Sequence, residues 1–198
     1  MHTNSKLLFK THASGLFRER SRVLEVGPDG FPSSYRKLVR LDALEWHTLD
    51  IDDNERLTYP RSEQYSFRIP DGVYDVVLAG NVIEHVKKIW EWTKEIARVC
   101  KVNGTVIILV PVSWHFHEAP VDCWRIYPEG MKALLENAGL EVVLCQFESM
   151  EAPGYRRYTP GISPECQSRA LRWFCRLAGH LGFPVERAYD TIAIARKL

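Results

Sequence analysis

The sequence has no apolar run long enough to cross a membrane. Its N-terminus, MHTNSKLLFKTH, lacks the apolar core of a secretory leader. Both absences lead us to expect a soluble, cytoplasmic protein with no membrane partner. Charge of one sign is also lacking: 26 Lys and Arg face 25 Asp and Glu, for a net charge of +1. That balance argues against a large nucleic-acid footprint and leaves only local basic clusters such as Arg156-Arg157 as anion contacts. Cysteine is sparse and odd in number, at positions 100, 123, 145, 166 and 175, with no C-x-x-C pair. This reads as reduced thiols rather than a disulfide framework. No Cys/His set has zinc-ligand spacing, so no metal is expected. There is no internal repeat, low-complexity tract or linker, and 198 residues suit one domain spanning 1–198.

Short apolar runs do alternate with amphipathic stretches, the pattern of an α/β layer fold with a parallel sheet. Arg22–Val26 reads as a strand ending at Gly27, and Pro32 with SSYRKLV as a helix start. WHTLDI (46–51) reads as a second strand ending in acid. YDVVLAG (74–80) and TVIILVP (105–111) read as fully buried strands. Between those two a helix is expected from about Ile83, with Ile89, Trp92, Ile96 and Val99 at helical spacing. PEGMKALLENAG (128–139) reads as another helix, and EVVLCQF (141–147) and TIAIARK (191–197) as closing strands. Residues 150–162 read as a loop. A helix is expected from about Pro164 to His180 with Leu171, Phe174, Leu177, Ala178 and Leu181 on its buried stripe.

The turn VLEVGPDG lacks the glycines of a phosphate site. Counted from Gly27, the first, third and sixth positions are Gly27, Asp29 and Pro32, and no G-K-[ST] follows. An acid two residues before the glycine, Glu25, suits a cationic ligand instead. S-adenosylmethionine (SAM) carries a sulfonium, an amino group and two ribose hydroxyls, and Asp50 at the end of the second strand is placed to accept those hydroxyls.

Through VLEVG, LDI, YDVVLAGNVIEHV and the helix leading to ARVCKVNGTVIILVP, in that order, the chain resembles the class I SAM-dependent methyltransferases, and more narrowly their small-molecule, type 11-like branch. The segment HEAPVDCWRIYPEGMKALLENAGLEVV looks like enzymes of glycan and polysaccharide pathways. The resemblance covers about residues 20–147, leaving about 150–185 as a helical and loop insertion before the last strand. It implies a Rossmann-like three-layer sandwich with a mostly parallel seven-stranded sheet and an antiparallel last strand. It also implies SAM as cofactor, with Gly27 near its methionine part, Glu25 supporting the amino group, Asp50 on the ribose, Ile51 on the adenine and Asn81 near the methyl. For the adenine edge, Glu63, Gln64 and Ser66 stay as alternatives. The turn departs from the family pattern at Asp29, with Gly30 one position late.

Methyl transfer to a hydroxyl needs an in-line approach in a dry pocket and benefits from a base. His85, after YDVVLAG, and His115 and His117, after TVIILVP, are the candidates. Asp122 would orient the base, and Arg125 would clamp a carboxylate or phosphate. Trp114 or Trp124 would stack on a sugar ring, and Arg157, with Tyr155, Arg156 and Tyr158, would add anion contacts from a lid. Against this stands a bland alternative: the tryptophans tuck the loop onto the sheet while Asp122 and Arg125 pair with each other. The expected partner is a small-molecule acceptor, a sugar or an anionic metabolite. A homodimer is compatible with the sequence. The competing reading is a methyltransferase-like binding module without activity of its own.

Overall fold

The computed structural model describes residues 2–117, 121–151, 168–183 and 188–198. Its elements are α1 (Thr3–Leu8), continued by a π-helical turn over Phe9–Ala13, then β1 (Arg22–Val26), α2 (Ser34–Leu38), β2 (Glu45–Leu49) and β3 (Tyr74–Gly80). They continue with α3 (Ile89–Val99), β4 (Cys100–Pro111), α4 (Pro128–Asn137), β5 (Leu140–Glu148), α5 (Arg169–His180) and β6 (Asp190–Lys197). The sheet runs in the order β2-β1-β3-β4-β6-β5. The first four of these strands are mutually parallel, and β6 is antiparallel to both of its neighbours.

Alternation along the central strands supplies two cores, one on each face of the sheet. Leu24, Val77, Ala79, Val106 and Ile108 face α3 and α4, where Trp92, Ile96, Met131 and Leu135 meet them. Val23, Val76, Leu78, Ile107 and Leu109 face Leu8, Phe9 and Tyr35 on the other side. Helices therefore cover both faces, giving the expected three layers. Tyr35 packs so closely that a Cβ at Gly80 would collide with its phenol ring and hydroxyl. Glycine at the end of β3 is thus a packing requirement.

Several boundaries differ from expectation. Six strands are present among the described residues, where seven were implied. The stretch between β2 and β3 forms only the isolated bridges Leu49↔Tyr59 and Glu63↔Ser66. Its one alternating run, YSFRI (65–69), buries Phe67 and Ile69 on the α3 side of the core but pairs with no strand, and Phe67 N donates to the Glu95 carboxylate instead of a sheet neighbour. The helix expected from Ile83 begins at Ile89. Residues Ile83–His85 form one 3-10 turn, and Val86 is extended before the helix starts. β2 stops at Leu49, placing Asp50 and Ile51 in the loop beyond it. The N-terminal helix had no apolar periodicity to announce it. It is anchored by polar groups: Asn4 Nδ2 donates to the Glu148 carbonyl (2.9 Å), Met150 N donates to Asn4 Oδ1 (2.8 Å), and Ser5 Oγ donates to Asp190 Oδ2 (2.7 Å).

The stripe expected to be buried on α5 is instead open, with Phe174, Leu177 and Leu181 at 62%, 43% and 68% exposure. The helix periodicity was legible. What covers the stripe is not a property of the helix. The first residues of the helix expected from Pro164 lie outside the described residues. No helix among the described residues is long and apolar enough to cross a membrane.

Candidate active site

The chain passes from β1 outward to β2 and then returns to place β3 on the other side of β1. Strand order therefore reverses between β1 and β3, and a crevice opens at their carboxyl ends, where open α/β sheets bind ligands. A cleft of about 450 Å³ lies there. Its floor and rim include Gly27, Asp50, Ile51, Asn81, Val82 and His85.

Gly27 adopts φ +70°, and a Cβ there would strike the Val82 side chain. Both facts require glycine and bring bare backbone to the cleft. Asp50 stands at the cleft, its Oδ1 accepting a long bond (3.3 Å) from Asp52 N and its carboxyl also facing the Ile51 N–H. Burial pushes its carboxyl above the usual aspartate value. Asn81 sits at φ +59°, and neither side-chain amide atom has a hydrogen-bond partner among the described residues although both are buried. A buried amide left this way calls for a ligand or water. Ile51 is 47% exposed at the rim, as an adenine contact needs. Glu63 and Gln64 line the cleft, whereas Ser66 does not.

Glu25 and Gly30 do not line the cleft. Glu25 points to the opposite face of β1, where its Oε2 accepts from Ser33 Oγ (2.6 Å) and Trp46 Nε1 (2.8 Å). Ser33 is the N-cap of α2, so Glu25 fixes the far end of the turn rather than touching its ligand side. Burial pushes its carboxyl up to about 7. Asp29, the residue that breaks the glycine pattern, accepts from Ser34 N (2.7 Å) and Ser34 Oγ (2.6 Å). It holds the turn onto α2 and points no charge at a ligand. Gly30 is not among the positive-φ residues, and a Cβ there would meet only the Pro32 carbonyl, at an ordinary 3.9 Å.

The loop after β4 meets the turn after β3. Cys123 N and Trp124 N both donate to the Glu84 carbonyl (2.8 and 3.3 Å), which clips the two segments together. His85, His117 and Glu84 converge there: one donor atom from each lies within 4.8 Å of the others. His85 Nδ1 donates to the Val121 carbonyl. His117 Nδ1 lies 3.3 Å from Asp122 Oδ2 and 3.3 Å from the His115 carbonyl, and its backbone N donates to Asp122 (2.9 Å). Burial lowers the His117 pKa and favours neutral imidazole. Arg125 grips Asp122 through both guanidinium nitrogens (2.5 and 2.7 Å) and also reaches the carbonyls of Trp124 and His115. Burial of Asp122 opposes its ionisation, but these bonds hold its carboxyl below the usual value.

These contacts sort the expected acceptor residues. Asp122 does lie against His117, accepting from its backbone N. Arg125, expected to clamp a ligand anion, is instead taken up by Asp122 and two carbonyls, as the bland alternative held. Trp124 packs on the α3 side of the core and donates its Nε1 to the Val86 carbonyl (2.9 Å), so it fastens the loop rather than offering a free face. Trp114 stacks between His2 (3.7 Å between ring centroids) and His115 (5.1 Å). Arg157 and its neighbours Tyr155, Arg156 and Tyr158 lie outside the described residues. Glu84 was missed from the sequence. It is fully buried, neither carboxylate oxygen has a hydrogen-bond partner among the described residues, and burial pushes its pKa to about 8. Its one signal was position, a lone acid in the apolar run NVIEHV just beyond a buried strand.

The fold is Rossmann-like and is shared with solved methyltransferases. Residues 42–108, from before β2 into β4, match the family model described as a methyltransferase domain. An Archaeoglobus fulgidus SAM-dependent methyltransferase superposes with a TM-score of 0.60 at 19% identity, over 96% of this chain and 94% of that one. A Haemonchus contortus phosphoethanolamine N-methyltransferase in complex with SAM does so with 0.60 at 15% identity, over 98% and 52%. The [4+2]-cyclase SpnF superposes with 0.63 at 18% identity, over 98% and 79%. At these identities the likeness is one of fold. No protein of curated function matches the chain by sequence.

Proposed function

We propose that the protein is a SAM-dependent methyltransferase acting on a hydroxyl of a small molecule, a sugar or glycan component. The carrying observation is the cleft at the strand-order reversal, which joins a bare glycine turn, the Asp50 carboxylate and the orphaned Asn81 amide to the His85 imidazole, with His117 behind it. The residues present fit the cofactor. Gly27 admits its methionine part, Asp50 accepts the ribose hydroxyls in charge-assisted bonds, Ile51 packs on the adenine, and Asn81 receives polar atoms near the sulfonium. When bound, SAM supplies a methyl group already activated by positive sulfur.

The chain then has three tasks: to align the acceptor, exclude water and activate the oxygen. His85 lines the cleft, and His117 stands behind it with ring centroids 5.0 Å apart. His85 is thus the imidazole within reach of an acceptor oxygen, and His117 backs it. The resemblance of residues 117–143 to enzymes of glycan pathways supports a sugar acceptor.

Transfer of labelled methyl from SAM to a panel of free and nucleotide-linked sugars, read by mass spectrometry, tests this reading. Fold alone does not fix chemistry, as the cyclase shows. SAM binding without methyl transfer to any acceptor would turn the reading toward a binding module. His117→Ala should lower turnover about 10²–10⁴-fold at unchanged SAM affinity, whereas His115→Ala should change it little because its ring is stacked on Trp114.

A further inference from the structure

We propose that Glu84, His85 and His117 form a binding site for one divalent transition-metal ion at the acceptor end of the cleft. One donor atom from each residue already lies within 4.8 Å of the others without an ion to gather them. Two further observations are independent of that proximity.

The first is Glu84. A carboxylate with no exposed surface and no hydrogen bond to either oxygen among the described residues is costly to bury, and a cation between its Oε1 and His85 Nε2, 3.8 Å away, would offset that cost. The second is the orientation of both imidazoles. His85 Nδ1 faces a carbonyl, that of Val121, and so carries the proton. His117 Nδ1 faces the Asp122 carboxylate and the His115 carbonyl, acceptors both, and so carries one too. Each ring therefore keeps its lone pair on Nε2. Outer carbonyl or carboxylate partners of this kind are what fix metal-ligating histidines, and Arg125 holds Asp122 in place from behind. The backbone clip from Cys123 and Trp124 to Glu84 keeps the two ligand-bearing segments in register.

Two imidazole nitrogens and one carboxylate suit zinc, iron, cobalt or manganese rather than magnesium or calcium, which favour all-oxygen shells. Three protein ligands leave at least one coordination position free, and His85, which lines the cleft, sets the site beside it. Only the use of the ion rests on the methyltransferase reading. There the ion would bind the acceptor oxygen and ease loss of its proton to solvent water. That oxygen would then bond to the methyl carbon as the sulfur–methyl bond breaks, leaving neutral S-adenosylhomocysteine. The imidazoles would thus act by holding the ion, and no proton need rest on them.

Full-length protein treated with chelator and dialysed is titrated with Zn²⁺ by calorimetry and with Co²⁺ by visible absorption, while SAM binding is measured separately in each variant. We expect one equivalent of Zn²⁺ bound at micromolar or tighter affinity and a Co²⁺ spectrum of nitrogen–oxygen coordination. Asp122→Asn should weaken Zn²⁺ binding by roughly 10–100-fold. Glu84→Gln and His117→Ala should weaken it further, while His180→Ala, on exposed α5, should leave it unchanged. Absence of stoichiometric binding in the wild type overturns the site, as does equal affinity in wild type, Glu84→Gln and His117→Ala. Metal bound without SAM binding would uphold the site and overturn the methyltransferase reading instead.

Discussion

Asp50 and Glu25 are both acids at the carboxyl ends of neighbouring strands, yet their side chains leave the sheet on different faces. Asp50 faces the cleft, and Asp50→Asn should raise the dissociation constant for SAM about 10–100-fold through loss of charge-assisted bonds, measured by calorimetry. Unchanged affinity would remove Asp50 from the site. Glu25 makes a different prediction. Its folded-state pKa of about 7 lies above the ordinary 4.5, so the native protein holds a proton that the unfolded chain releases. Stability should therefore fall as pH rises from about 4.5 to about 7 and then level off. The Glu25 share of that loss should be on the order of 3 kcal/mol. Urea unfolding at pH 5 and pH 8 should show a smaller fall in Glu25→Gln than in the wild type, and equal falls would refute the assignment.

Turns and caps decide more at the scale of elements than helix or strand propensity does. The turn after β1 departs from the glycine pattern of the methyltransferases it resembles, and Asp29 and Ser33 bind it to α2 while Gly27 meets the cleft. Gly27→Ala must bear a positive φ and displace Val82. It should lose SAM binding by at least about 10-fold while keeping its far-ultraviolet circular dichroism. The N-terminal helix depends on its polar anchors in the same way. Asn4 is fully buried and bonded at both ends of its amide, so Asn4→Ala should cost about 1–3 kcal/mol in denaturant unfolding. Because His2 stacks on Trp114, that loss should also loosen the acceptor loop, seen as faster hydrogen exchange at residues 114–117.

The cleft is built by segments far apart in the chain. The turns after β1, β2 and β3 line it, and the β4 loop, clipped onto the β3 turn at Glu84, backs His85. SAM should stabilise the assembled protein by about 2.7 kcal/mol at a hundredfold excess over its dissociation constant, whereas NAD should leave the melting temperature unmoved. The reverse order in a thermal-shift series would favour a dehydrogenase. The sequence by itself determined the buried strands, through short apolar runs bounded by turn residues, and the cleft-lining residues that directly follow them. Gly27, Asp50 and Asn81 were legible for that reason. Tertiary structure alone decided the rest. Which face Glu25 leaves, whether Arg125 meets a ligand or Asp122, and whether Glu84 has a partner depend on contacts between segments far apart in the chain. Side-chain direction and burial are set by neighbours, and local sequence does not encode them.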